Sequence, residues 1–241
     1  MGLNSNDYII ADPNLIYKNE EQLYSEKIIY LPQIWNCHSG FGFERKEAPI
    51  PYKKKNYITF GSFNNFCKIN DSVINIWSEI LKKVQKSKLI LKPSGRSHTL
   101  RLKKAFKKRG VENSVIFYEN IESVNDHLKL YNEIDIALDT FPYNGVTTSF
   151  EAIWMGVPVL TMKGYNFNSR CGESINKNIG MENLVAKDKN DYINKATELS
   201  EDLRKLISIR KKIFDNALSS PLFDVKNFSK NFFYIIKNLK N

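Results

Sequence analysis

Residues 135–161 read DIALDTFPYNGVTTSFEAIWMGVPVLT, and this stretch decides the fold. It begins with a short apolar run, passes through a turn that contains proline and glycine, and reaches an amphipathic segment that starts on consecutive hydroxyl residues. Gly156 ends this segment, and a second apolar run follows. The pattern predicts a buried strand, a turn, a helix and another buried strand.

The start of the predicted helix is a candidate phosphate site. The first N–H groups of a helix lack partners and carry partial positive charge, so they attract anions. Asn144, Gly145, Thr147 and Thr148 would supply the donors. A capping box formed by Thr148 and Glu151 is an alternative that needs no ligand. Helix chemistry alone leaves both interpretations open.

Length and composition indicate a folded, water-soluble domain. The chain has 241 residues, of which 42% are hydrophobic and 12% aromatic, enough for one core or for one domain and part of another. No apolar run is long enough to cross a bilayer, and the first residues lack the features of a signal peptide. We therefore predict a cytoplasmic protein with no membrane partner.

Cysteine and carboxylate spacing gives no sign of a metal site. Cys37, Cys67 and Cys171 lie far apart, and no histidine stands at metal-ligand spacing from them. Neither a disulfide framework nor a zinc site is predicted. The sequence also lacks a Walker loop, a dinucleotide fingerprint and an Asp-x-Asp triplet. We expect a site without metal, in which lysine and helix ends offset negative charge.

The formal charge of +10 would attract anions of several classes. Residues 101–109, RLKKAFKKR, place their apolar side chains on one helical face and their charges on the other. This spacing is typical of a surface helix, and a solvated face is the favoured interpretation. A basic nucleic-acid-binding module is kept as a second hypothesis, although we do not expect a nucleic-acid partner.

From residue 57 onward, short apolar runs alternate with amphipathic segments. Strands are predicted at 57–62, 88–92, 115–118, 135–139, 158–162 and 183–186. Helices are predicted near 71–86, 98–109, 123–133, 148–155, 168–178 and 189–200, and the last segment, 201–239, is predicted to be helical with a break at 219–221. The alternation predicts an α/β, Rossmann-like lobe with a parallel sheet of about six strands and helices on both faces.

Residues 1–50 do not follow this alternation. Two short strands are predicted at 7–11 and 27–31, but two strands and a polar loop cannot bury a core of their own. We interpret residues 1–50 as the remnant of another domain with its linker, and residues 51–241 as the main lobe.

Polar candidates follow successive strands of the predicted sheet. Asn65 and Lys68 follow the first strand, His127 lies in the helix after the third, residues 144–148 follow the fourth, and Arg170 follows the fifth. In an open parallel sheet, ligands bind at the carboxyl ends of the strands, and all of these residues fall at that edge. Together they predict a basic, hydrogen-bonding pocket suited to a nucleotide diphosphate.

Several motifs are recognisable together. They are HLKLY at 127–131, DIALDTFPYNGVTT at 135–148, EAIWMGVP at 151–158, SR at 169–170, SFNNFCK at 62–68 and SPLFD at 220–224. This set closely resembles the C-terminal lobe of bacterial Spindly-type, O-GlcNAc transferase-like proteins of glycosyltransferase family 41. The likeness runs from about residue 7 to the C-terminus.

The resemblance implies a two-lobed GT-B fold and transfer of a sugar, usually from UDP-GlcNAc, to serine or threonine of proteins, without metal or cofactor and with inversion. By the same resemblance, Lys68 would stabilise the departing diphosphate, and Thr147 and Thr148 would bind phosphate. His127 would lie against the nucleoside, and Glu151 would reach the ribose. The expected partners are a nucleotide sugar and an acceptor protein.

The sequence departs from the family pattern in some places. Asn65 stands where the animal enzymes have glutamine, and Val146 where they have histidine. Most of the N-terminal lobe and the tetratricopeptide repeats of the family have no counterpart here, and residues 1–50 resemble a remnant of that lobe and the interlobe linker. We therefore expect nucleotide binding with little transfer by this chain alone, and a separately encoded N-terminal lobe or tetratricopeptide region as a further partner. A non-catalytic fragment remains an alternative.

Overall fold

The computed structural model describes residues 5–42, 44–93, 95–118, 121 and 123–239. The strands in these residues are β1 Tyr8–Ala11, β2 Lys27–Tyr30, β3 Thr59–Ser62, β4 Lys88–Leu91, β5 Val115–Phe117, β6 Ile136–Leu138, β7 Val159–Met162 and β8 Val185–Ala186. The helices are α1 Tyr52–Lys55, α2 Asp71–Lys83, α3 Arg96–Lys108, α4 Val124–Leu130, α5 Thr147–Trp154, α6 Phe167–Asn178, α7 Lys189–Glu201, α8 Leu203–Asn216 and α9 Val225–Lys237.

Strands β3 to β8 form one six-stranded sheet in the order β5-β4-β3-β6-β7-β8, and all of their pairings are parallel. The predicted α/β fold is confirmed, and each predicted strand of this sheet is present but shorter by one or two residues. The strand order changes direction between β3 and β6. Such a switch point opens a crevice at the carboxyl ends of the strands.

The sheet is the centre of the core. Strands β3 and β6 are buried along their whole length, as expected for parallel strands with helices on both faces. Helix α2 contributes Trp77, which is fully buried, and α7 contributes the equally buried Tyr192. Gly61 in β3 is required by close packing, because a Cβ there would lie 2.5 Å from Ile134. These contacts fix the strand ends that carry the polar candidates.

The described residues between 5 and 50 pack against this lobe. Strands β1 and β2 form a separate parallel pair, and Ala11, Leu15 and Ile16 share a small core with Cys171 of α6. Asp12 Oδ2 accepts a hydrogen bond from the Ser174 hydroxyl at 2.6 Å. The two predicted strands are therefore present, and their core is completed by the main lobe. The boundary at residue 50 stays a prediction.

None of the helices in the described part of the chain is both long enough and apolar enough to span a bilayer.

Candidate functional site

A short 3-10 turn after β3, Phe66–Lys68, carries the predicted lysine. Asn65 caps this turn, because its side-chain oxygen accepts a hydrogen bond from the Cys67 N–H at 3.0 Å. Lys68 Nζ donates to the Asn144 carbonyl at 2.8 Å and lies 4.2 Å from the centre of the Tyr143 ring. Burial lowers the pKa of Lys68, and the charge of the nearby Asp139 acts in the opposite direction. The side chain therefore spans the crevice between β3 and β6.

Helix α3 supports this turn from behind. Arg101 Nη2 donates to the carbonyls of Phe66 at 3.3 Å and Ile69 at 2.9 Å. Arg109, at the end of the same helix, donates to Asn75 at 2.5 Å. Two arginines of the basic segment are thus used within the protein. Lys103, Lys104, Lys107 and Lys108 are exposed, and the ammonium of Lys103 lies 5.5 Å from the centre of the Phe117 ring. This arrangement matches the predicted surface helix, and the nucleic-acid hypothesis stays a prediction.

The start of α5 is open to the crevice. The helix begins at Thr147, and the preceding Val146 makes no side-chain cap. Thr147 is exposed, and Thr148 Oγ1 donates to Asn64 Oδ1 at 2.9 Å. The alternative capping box is wrong, because Glu151 bonds to groups outside its own helix start. The N–H groups of Thr147 and Thr148 have no acceptor within the helix, whereas the Ser149 N–H donates to the Val146 carbonyl at 3.0 Å.

Two predicted phosphate donors are used inside the protein. The Asn144 N–H donates to the Asn168 carbonyl at 3.1 Å, and the Gly145 N–H donates to Asp139 Oδ1 at 2.7 Å. Asn144 is also fully buried. The prediction that these two amides bind phosphate is therefore corrected, since tertiary hydrogen bonds already satisfy them. Their contribution is to hold the loop in shape beside Thr147.

Asp139, at the end of β6, organises this loop and was not singled out from the sequence. Its carboxylate is buried and accepts hydrogen bonds from the Gly145 N–H at 2.7 Å, the Thr140 N–H at 2.8 Å and the Thr161 hydroxyl at 2.7 Å. Burial raises the pKa of Asp139 to about 6, although these hydrogen bonds oppose the shift. The sequence signal that could have identified Asp139 is its position between a buried strand and a turn that contains proline and glycine.

His127, Glu151 and two further side chains form a chain of hydrogen bonds. His127 Nε2 lies 2.9 Å from Glu151 Oε2, and His127 Nδ1 lies 3.1 Å from Lys92 Nζ. The Tyr131 hydroxyl donates to the same Oε2 at 2.9 Å. The structure thus brings His127 and Glu151 together, as predicted. It adds Lys92 and Tyr131 to the candidate site, and sequence reasoning missed both because their contacts join separate elements.

Arg170 does not join the other candidates, contrary to the prediction. Its side chain is 4% exposed, and its Nη2 donates to Glu20 Oε1 at 2.7 Å. Its Nε donates to the Gly164 carbonyl at 3.0 Å, and the guanidinium lies 4.1 Å from the Tyr17 ring centre. The paired carboxylate draws the arginine toward the N-terminal segment. Arg170 thereby joins Tyr17 and Glu20 to α6.

The assembled site offers one ammonium group and an uncapped helix start on opposite sides of a crevice, beside a chain of hydrogen-bonded polar groups. In the part of the chain that the structure describes, no cluster of histidine, cysteine, aspartate and glutamate has the arrangement of a metal site. Lysine and helix N–H groups together suit a phosphate or diphosphate. The fold and this site define an α/β lobe whose crevice is suited to a ligand that carries phosphate.

The sequence of residues 45–232 matches the family described as glycosyl transferase family 41, and the chain belongs to that family. It is 34% identical over 245 residues to a tomato (Solanum lycopersicum) protein named "Probable UDP-N-acetylglucosamine--peptide N-acetylglucosaminyltransferase SPINDLY". The match covers 99% of this chain and 26% of the tomato protein. The chain thus spans only a fraction of the length of this relative.

Solved structures share the same fold. A mutant O-GlcNAc transferase of Thermobaculum terrenum is 28% identical with a TM-score of 0.84, over 96% of this chain and 44% of that one. HepE of Anabaena, solved in complex with UDP and glucose, is 17% identical with a TM-score of 0.64, over 97% of this chain and 64% of that one. The predicted GT-B lobe is confirmed.

Proposed function

We propose that this chain is the donor-binding lobe of a metal-independent, inverting protein O-glycosyltransferase, which transfers GlcNAc from UDP-GlcNAc to serine or threonine of an acceptor protein. Family membership and the names of the relatives support the donor and the acceptor. The observation that carries the proposal is the position of Lys68 Nζ, 2.8 Å from the Asn144 carbonyl. This contact brings the lysine to the loop that leads into α5.

Lys68 and the first amides of α5 would hold the diphosphate of the donor. In the transfer, the acceptor oxygen bonds to the anomeric carbon from the face opposite the diphosphate, and its proton passes to water. The bond between the anomeric carbon and the phosphate oxygen breaks, and its electron pair leaves with UDP. Negative charge then grows on the phosphate, where the ammonium of Lys68 and the N–H groups of Thr147 and Thr148 stabilise it.

The nucleoside would occupy the side of the crevice that His127 and Glu151 line. Glu151 Oε2 already accepts from His127 and Tyr131. The other carboxylate oxygen, Oε1, accepts no hydrogen bond from any residue in the described ranges, and it would accept a ribose hydroxyl. Asn65, exposed on the Lys68 turn, would lie beside the sugar diphosphate.

Replacing Lys68 with alanine tests the proposal. A charge-assisted hydrogen bond is worth about 1.5 to 3 kcal/mol, so we expect UDP to bind roughly 10- to 100-fold more weakly. Titration calorimetry with UDP measures this change.

Lys54→Ala provides the matched control, because Lys54 is an exposed lysine before the start of β3, at the opposite end of the strand. It removes the same charge and should leave the UDP affinity unchanged. Equal affinities for the wild type and Lys68→Ala would refute the role given to Lys68.

A further inference from the structure

Lys92 follows β4 and ends on the ring of His127. We propose that Lys92 is a positioning residue, which holds His127 in the tautomer with the proton on Nε2 and thereby fixes the carboxylate of Glu151 for a nucleoside. The proposal rests on the function proposed above, because it concerns the same site. In the described residues, the Lys92 side chain contacts neither the loop before α5 nor the turn that carries Lys68.

The tautomer follows from the hydrogen-bonding capacity of the two groups. A lysine ammonium has three donors and no acceptor. Because Lys92 Nζ lies 3.1 Å from His127 Nδ1, Nδ1 must accept. A neutral imidazole carries one N–H, which is then on Nε2. Nε2 lies 2.9 Å from Glu151 Oε2 and donates to it.

The opposite tautomer would break this chain of hydrogen bonds at both nitrogens of His127. A proton on Nδ1 would face the ammonium of Lys92, and the lone pair of Nε2 would face the carboxylate of Glu151. With Nε2–H in place, Oε2 receives donors from both His127 and Tyr131, because the Tyr131 hydroxyl has a single proton and lies closer to Oε2, at 2.9 Å, than to the Thr148 carbonyl, at 3.1 Å. Two donors on one oxygen fix the carboxylate, so that Oε1 has a defined direction toward the proposed ribose position.

The surroundings of Lys92 favour this role over a simple salt bridge. In the described residues, no carboxylate lies within ion-pair distance of Lys92. Burial lowers the pKa of its ammonium, and the charge of Glu151 acts in the opposite direction. The His127 ring is held edge-on by Phe63, at 5.8 Å between ring centres, and by Tyr131, at 5.7 Å. The ring plane is therefore fixed by packing, and two groups favour the proton on Nε2, the ammonium of Lys92 at Nδ1 and the carboxylate of Glu151 at Nε2.

Nitrogen-15 NMR of the histidine side chains, at a pH where imidazole is neutral, tests the tautomer directly. The chain has three histidines, and His127→Asn identifies the signals of His127. We expect the wild type to show a protonated Nε2 and an unprotonated Nδ1. Lys92→Met removes one of the two groups that favour the proton on Nε2, so it should increase the fraction of His127 with the proton on Nδ1, and Lys92→Arg, which also only donates, should restore the wild-type signals.

Ligand binding gives a second readout. One hydrogen bond is worth about 1 kcal/mol, so Lys92→Met should weaken binding of UMP about fivefold and leave binding of inorganic pyrophosphate unchanged. Lys88→Met is the matched control, because Lys88 lies at the other end of β4 and donates to the Asn113 carbonyl. It should change neither the His127 signals nor UMP binding. Equal thermal unfolding temperatures would show that the variants are folded.

The outcomes separate the two proposals. A protonated Nδ1 in the wild type, or identical His127 signals in wild type and Lys92→Met, would overturn the tautomer role. Equal weakening of UMP and pyrophosphate would overturn the positioning role at the nucleoside. A wild type that shows the expected tautomer but binds neither UMP nor pyrophosphate would support the action of Lys92 on His127 and contradict the proposed function.

Discussion

Replacing Asp139 with alanine is expected to abolish measurable UDP binding and to lower the free energy of unfolding. The buried N–H groups of Thr140 and Gly145 and the hydroxyl of Thr161 would lose their acceptor. Each buried donor left unpaired costs about 1 to 3 kcal/mol. Removal of a buried charge offsets part of this cost, so we expect a net loss of about 3 kcal/mol. Urea unfolding and calorimetry with UDP measure the two effects.

Asp139→Asn is the matched control. Its carboxamide oxygen can keep both backbone N–H bonds, and the Thr161 hydroxyl can turn to accept from the new NH₂ group. We expect this variant to bind UDP within about threefold of the wild type, because the hydrogen-bond partners are conserved. If alanine and asparagine caused the same loss, the loop would not depend on an acceptor at this position, and the account of Asp139 would be wrong.

The difference in stability between the wild type and Asp139→Asn depends on pH. Burial raises the pKa of Asp139 to about 6, whereas an aspartate in an unfolded chain titrates near 3.9. Between these values the folded state binds more protons, so this carboxyl lowers stability as the pH rises and restores it as the pH falls. Relative to Asp139→Asn, the wild type should lose about 3 kcal/mol between about pH 4 and pH 6. A constant difference across this window would contradict the raised pKa.

Replacing Gly145 with alanine is the second change with a large expected effect. A Cβ at this position would lie 2.5 Å from Thr148 Oγ1 and 2.7 Å from Asn64 Oδ1, so these two atoms could no longer keep their hydrogen bond. The start of α5 would shift together with Thr148. Overpacking of this kind costs about 1 to 3 kcal/mol of stability. We expect UDP affinity to fall about 30-fold or more, because a displacement of about 1 Å breaks charge-assisted contacts.

Gly110→Ala is the control that distinguishes a local effect on the loop before α5 from an effect of general destabilisation. Gly110 has a left-handed φ of 70° and open space around its Cα, so alanine there costs about 1 to 2 kcal/mol through backbone strain. UDP affinity should be unchanged in this variant. A comparable loss of UDP binding in both variants, measured by calorimetry on samples with similar unfolding curves, would contradict the local role of Gly145.

The parallel sheet could be predicted because its strands are short, apolar and bounded by turns. Ile136–Leu138 and Val159–Met162 have almost no polar residues, since helices cover both faces. The edge on which ligands bind then followed from the alternation of strands and helices. The meeting of Lys68 with the loop before α5 was predictable from that rule, without knowledge of any side-chain contact.

The partners of individual side chains could not be predicted in the same way. Arg170 pairs with Glu20, which lies 150 positions earlier, and no local pattern reveals such a contact. Lys92 and His127 are 35 positions apart and meet only because the residue that follows β4 lies beside α4 in the fold. Asp139 was overlooked because a carboxylate beside a turn usually faces water, whereas this one is buried under its own loop.

A crystal structure of the chain soaked with UDP is the most direct test of the proposed site. We predict that the diphosphate lies between Lys68 Nζ and the N–H groups of Thr147 and Thr148, with the ribose facing Glu151. UDP bound elsewhere, or a diphosphate that contacts neither Lys68 nor the start of α5, would contradict the proposed function.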